Sequence, residues 1–128
     1  MSFCTAINCS DSQVPESVND FLKDRFAAQA VDQVTVAAPA RALAERDDRH
    51  LVAAVLDGVA ASLKKHQSRG LAVVGHEDCG ANPSPKDEQL RQMAEALAFL
   101  RKHYPDTPTI ALWADRAGGV EELTELPA

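Results

Sequence analysis

The stretch LAVVG, residues 71–75, is apolar at nearly every position, which suits a strand covered on both faces rather than one with a wet side. Such a strand needs helices above and below it, and the flanking sequence offers them. SFCTAINC (2–9) reads as a first buried strand ended by the turn-forming SDS. Pro15 suits a first helical turn, and Val18, Phe21, Leu22 and Phe26 make one apolar stripe of a helix to about Ala28. QVTVAAP (33–39) predicts a second strand closed by Pro39, after which Asp47 or Asp48 caps a helix carrying Leu51, Val52, Val55, Leu56, Val59 and Leu63. Gly70 ends the link to the LAVVG strand. Ser84-Pro85-Lys86-Asp87 matches a capping box with proline at the first helical position, followed by a stripe of Leu90, Met93, Ala94, Leu97 and Leu100 and a stop at Tyr104-Pro105. TPTIALWAD (107–115) is a fourth strand, and the Gly118-Gly119 turn before VEEL allows a short fifth strand or a loose tail.

Strands alternating with helices imply a three-layer α/β fold with a mostly parallel, four- to five-stranded sheet flanked by helices. The 128 residues fit one domain, 1–128, with a core that needs no staple. In such sheets ligands collect at the carboxyl ends of strands. The residues after strand one, Cys9 to Gln13, and those after strand three, His76 to Cys79, therefore share one sheet edge.

Charge narrows the partners. The formal net charge is −6, and the 13 basic residues are scattered rather than striped, so the field repels phosphate backbones and argues against nucleic acid. The N-terminus MSFCTAINCS lacks a positive leader and a long apolar core, and no apolar run approaches a membrane span, so a cytoplasmic protein is expected. Three cysteines in a reducing compartment are thiols available for metal or catalysis.

Cys9, His76 and Cys79 offer two thiolates and one imidazole converging from two strand ends, a set suited to tetrahedral zinc with one position open, as in catalytic sites. Cys4 lies five residues before Cys9 on the same strand, facing the other way and roughly 16 Å off at about 3.3 Å per residue. Asp11 is the better fourth protein candidate. Each cysteine alone is more ordinary as a small buried hydrophobe, and a thiol nucleophile activated by His76 is a rival. That rival lacks a C-x₅-R phosphate loop after either Cys9 or Cys79.

CSDSQ followed by GHEDCGA resembles the β-carbonic anhydrases, whose pattern is C-x-D-x-R and then H-x-x-C. The resemblance implies zinc on Cys9, His76 and Cys79, with Asp11 accepting a hydrogen bond from zinc-bound water and residue 13 holding Asp11. It implies hydration of carbon dioxide to bicarbonate by a zinc-bound hydroxide and, together with edge strands that need covering, a homodimer; Phe21 and Phe26 or Trp113 are candidate interface aromatics, with ordinary core the slightly favoured alternative for them. Position 13 is Gln13 where the family has arginine, and TVAAPARALA replaces an arginine-asparagine-alanine-glycine stretch. With only a neutral amide at Gln13, Asp11 is expected to swing onto zinc unless Arg41 or Arg46 supplies the missing charge. The alternatives are hydrolysis of carbonyl sulfide or carbon disulfide, and a catalytically silent zinc-binding relative. Gly75 and Gly80 are expected to permit a sharp backbone path, and Glu77 and Asp78 to stay outside the ligand shell.

Overall fold

The structure is a computed structural model and describes residues 1–11 and 15–126. In chain order the elements are β1 (Phe3–Cys9), α1 (Pro15–Arg25), β2 (Ala30–Val36), α2 (Pro39–Glu45), α3 (Arg49–His66), β3 (Leu71–His76), α4 (Lys86–His103), β4 (Thr109–Ala114) and β5 (Val120–Glu122). The strands form one sheet in the order β2-β1-β3-β4-β5, parallel except for β5, which runs antiparallel to β4. The expected three-layer α/β architecture is the observed one.

Every residue of β3 and β4 is buried, as is β1 beyond Phe3, which is what strands with helices on both faces require. Ile7, Val34, Leu71, Val73 and Ala111 face α2, α3 and α4 through Leu43, Val55, Val59, Met93 and Leu100. The alternate residues Ala6, Ala72, Val74, Ile110 and Leu112 face α1 through Val18, Leu22 and Phe26. Phe26 and Trp113 are thus buried within this chain, and Phe21 packs at the edge of the same cluster.

Two helix starts differ from the sequence expectation. The segment after β2 is not a plain loop: α2 begins with Pro39 at its first turn, and Ala38 before it holds left-handed φ 44 and ψ 64. Of the two expected caps for α3, Asp48 is the one observed, accepting from the backbone N–H groups of His50 and Leu51. Ser84 does not cap α4. Pro85 occupies the N-cap in extended geometry with no side-chain cap, so the helix opens at Lys86 and Asp87 and Glu88 complement its dipole. The face of α4 toward the core is also more polar than its stripe implied: Gln89 and Gln92 are buried while Leu90 and Ala94 are only partly so. Gln92 accepts from Asn82 Nδ2 at 2.7 Å, and Gln89 Nε2 donates to the Ser84 and Asn82 carbonyls, tying the helix to the turn after β3.

The strand order reverses at β1, because the chain leaves it for β2 on one side and later returns to β3 on the other. This switch point is where an open parallel sheet forms a crevice at its carboxyl edge.

Candidate metal centre

Cys9 ends β1 and His76 ends β3, and these strands are parallel neighbours. Cys79 follows three residues on, after a turn in which Asp78 takes φ 53. One ligand atom from each of the three lies within 4.8 Å of the others, and all three residues are buried. Cys9 Sγ and Cys79 Sγ are 3.5 Å apart. The structure therefore brings together the three expected ligands. Cys4 stands apart as expected, buried under α1 with its thiol toward the Leu22 and Ala30 carbonyls.

The histidine is oriented for coordination. With its Nδ1 at 2.9 Å, His76 donates to the Glu77 carbonyl, and its Nε2 is buried with no hydrogen-bond partner among the described residues. A ring fixed through one nitrogen presents the lone pair of the other, the usual arrangement of a metal-bound imidazole. Two thiols and that orphaned nitrogen are a donor set that fits zinc.

The sulfurs are electrostatically unequal. Burial by itself would raise the Cys9 pKa. The nearby His76 imidazole, the N–H groups of Asp11 at 3.4 Å and Ala38 at 3.3 Å, and the Cys79 thiol together bring it down to about 7. Burial and the adjacent Cys9 sulfur push Cys79 up to about 11. The Cys9 sulfur raises the pKa of His76 above its ordinary value against the opposing effect of burial. Cys9 is thus the readier thiolate, cradled by backbone donors.

Ala38 is a site residue that sequence reasoning missed. Its left-handed backbone aims an N–H at sulfur, and Pro39 was the only signal nearby. Gly80 is another: its N–H donates to Asp11 Oδ2 at 2.6 Å. Asp11 lies outside the three-ligand group. The expected arginine substitutes are engaged elsewhere, Arg41 with Glu45 at 3.2 Å and Arg46 with the Leu43 carbonyl and the face of Phe99. Gln13 lies outside the described residues. Glu77 and Asp78 pair with Arg116 and stay out of the ligand group.

The glycine expectation needs correcting. Neither Gly75 nor Gly80 has a positive φ. A Cβ on Gly75 would stand 3.0 Å from the Trp113 ring and 3.2 Å from Met93 sulfur, so this glycine makes room for the core instead of bending the chain. Two clefts flank the centre. One, of about 640 Å³, reaches it at Ala38 and Ala81 and carries Arg41, Arg49 and His50. The other, of about 450 Å³, includes Cys79, Lys86 and Trp113, with the Lys86 ammonium 5.0 Å from the indole centroid.

A family model described as "Putative carbonic anhydrase" matches residues 1–124. The chain belongs to that carbonic anhydrase family. Solved structures similar to this family member include the β-carbonic anhydrase CafD of Aspergillus fumigatus, at 13% identity and a TM-score of 0.57, covering 98% of this chain and 90% of that one. Isoform I of the β-carbonic anhydrase of Trichomonas vaginalis is 14% identical with a TM-score of 0.57, covering 92% and 80%. One of two tetrameric β-carbonic anhydrases of Sordaria macrospora is 14% identical with a TM-score of 0.51, covering 98% and 82%. No curated protein matches in sequence. At such identities the likeness is one of fold, and the chain is a divergent member of its family.

Proposed function

We propose that this carbonic anhydrase relative hydrates carbon dioxide to bicarbonate with a zinc ion held by Cys9, His76 and Cys79. The observation that carries the proposal is the convergence of the three ligand atoms within 4.8 Å at the sheet's switch point, with His76 Nε2 buried and unpartnered. Zinc held there supplies Lewis acidity that makes water a nucleophile near neutral pH. The chain's own part is to hold and orient. Cys9 and Cys79 would deliver negative charge, His76 is locked through Glu77, and Asp11, which accepts from Gly80 N, would accept a hydrogen bond from the attacking water.

We also infer a homodimer in a reducing, cytoplasmic setting. Support for the compartment comes from the three free thiols, two of them adjacent and unjoined. Among the described residues no helix is long and apolar enough to cross a membrane. Support for assembly comes from β2, which is an edge strand among the described residues, and from the similarity to a tetrameric β-carbonic anhydrase of Sordaria macrospora. Light scattering that finds only a 13.8 kDa species at micromolar concentration overturns the dimer.

Metal analysis and stopped-flow carbon dioxide hydration on the same purified protein test the function. We expect about one zinc per chain, lost with activity in Cys9→Ser, His76→Ala and Cys79→Ser and kept in Cys4→Ser. Protein purified without chelators and free of metal overturns the centre. Zinc present with no hydration at any pH leaves a silent zinc-binding relative, and turnover of carbonyl sulfide alone moves the assignment to that hydrolysis.

A further inference from the structure

The cleft of about 450 Å³ beside Cys79 has a wall that the metal chemistry leaves unused. We infer that it binds a small carboxylate-class anion, bicarbonate or an organic carboxylate, between the indole N–H of Trp113 and the ammonium of Lys86. Neither donor belongs to the proposed Cys9, His76 and Cys79 group, so the inference goes beyond that reading and does not need the metal.

Trp113 supplies the deciding observation. It lines the cleft, is only 5% exposed, and its Nε1 is buried with no hydrogen-bond partner among the described residues. An indole N–H can only donate, and leaving it unpaired out of water is costly, so the group it lacks is an acceptor. The ring approaches Gly75 through Cε3 and Cζ3. Those atoms lie on the benzene half of the indole, which leaves the pyrrole edge that carries Nε1 directed away from Gly75. The amides nearby are already committed. Gln89 Nε2 donates to the Ser84 carbonyl at 2.8 Å and the Asn82 carbonyl at 3.3 Å, and Asn82 Nδ2 donates to Gln92 Oε1 at 2.7 Å.

Charge selects an anion. Glu77 and Asp78, which also line the cleft, are held by Arg116 at 3.3 Å and 2.9 Å. Asp87 and Glu88, which follow Lys86 in the chain, are held by Arg91 at 3.8 Å and 2.6 Å. Lys86 itself is exposed and forms no ion pair among the described residues; its ammonium rests 5.0 Å from the indole centroid. A cation–π contact at an exposed site is weak, so an incoming carboxylate takes the ammonium from the ring face through a charge-assisted hydrogen bond. Lys86 also opens α4, whose first turn has no side-chain cap, and the positive end of that helix's dipole favours the same charge. A carboxylate has two oxygens, one for each donor.

Trp113 is the single tryptophan, so its indole N–H gives one resonance in a proton–nitrogen correlation spectrum. Sodium acetate and sodium bicarbonate are titrated at constant ionic strength against sodium chloride, in the protein as purified and again after chelator treatment. We expect a saturable downfield shift of the indole proton with a Kd of about 1–10 mM, modest as befits so small a ligand. The shift should survive chelation, and Lys86→Met, which keeps the stem and loses the charge, should weaken binding about tenfold. A response to only one of the two anions names the source and supports the site. A resonance that stays still in both anions up to about 100 mM, moves equally in chloride, or titrates unchanged in Lys86→Met overturns the inference. A response lost on chelation puts the anion on the metal, which overturns the cleft and leaves the metal centre standing. Protein that is metal-free as purified and still shows the shift overturns the proposed function alone.

Discussion

Cys9 Sγ and Cys79 Sγ stand 3.5 Å apart and are not bonded to each other. The Cys9 thiol, at about 7, is half thiolate near neutrality, while Cys4 is fully buried under α1. In metal-free protein, diamide or oxidised glutathione should therefore join Cys9 to Cys79 and leave one thiol, Cys4. Saturating zinc should block the reaction, because both sulfurs are then committed to the ion. Intact mass and thiol titration check this; three free thiols after oxidation of the metal-free protein contradict it.

Metal affinity should depend on pH in a calculable direction. At pH 7 half of the Cys9 thiols and nearly all Cys79 thiols, at about 11, hold a proton that zinc must expel, and the raised His76 pKa adds a further fraction. Binding releases protons, so affinity rises with pH and falls on acidification, by about one to two log units per pH unit around neutrality. Competition against a chromophoric chelator at pH 6, 7 and 8 measures the slope. A flat profile contradicts thiol ligation.

Ala38→Gly should stabilise the protein without loss of metal. The left-handed backbone of Ala38 costs a residue with a Cβ about 1–2 kcal/mol, and glycine's larger unfolded-state entropy takes back about 0.4–1 kcal/mol. The net gain is about 0.5–1 kcal/mol. The N–H aimed at Cys9 remains in the variant. Urea midpoints of the metal-free proteins decide it, and a lower midpoint for the variant goes against the prediction.

Gly70→Ala should be costly. A Cβ there would overlap the Phe26 ring, which is buried between α1 and the sheet. Overpacking of this kind costs about 1–3 kcal/mol. Phe26→Leu should remove part of that penalty, so the double variant is less destabilised than the two single changes predict. Strict additivity in thermal or urea unfolding contradicts the contact.

The sequence displays the fold where side chains alternate or repeat. LAVVG marks a buried strand, and the Val55, Val59 and Leu63 stripe marks α3. The candidate Cys9, His76 and Cys79 group is equally readable, because cysteine and histidine carry their chemistry in their side chains and strand ends converge by topology. What stays hidden is carried by backbone. The N–H groups of Ala38 and Gly80 leave no letter, and α2 is seven residues with no cap side chain to announce it. Gln89 and Gln92 look like surface residues by type, yet their amides bind the turn at Asn82 and take them inside. Gly75 resembles a hinge by type and is a gap for Trp113.

The adjacency of β1 and β3 has a kinetic consequence. Cys9 and Cys79 are separated by 70 positions along the chain, with α1, β2, α2, α3 and β3 threaded between them. Closing so long a loop precedes any full ligand set, so zinc cannot nucleate the chain the way it nucleates a short finger whose ligands are neighbours. At the proposed centre, capture of the ion would be a late event, and its release would leave the buried strands of the sheet still paired. Zinc that sped the earliest refolding phase would contradict this order. At the proposed centre, gain and loss of zinc would therefore take place on a standing fold, and supply of the ion would change the site without unfolding the chain.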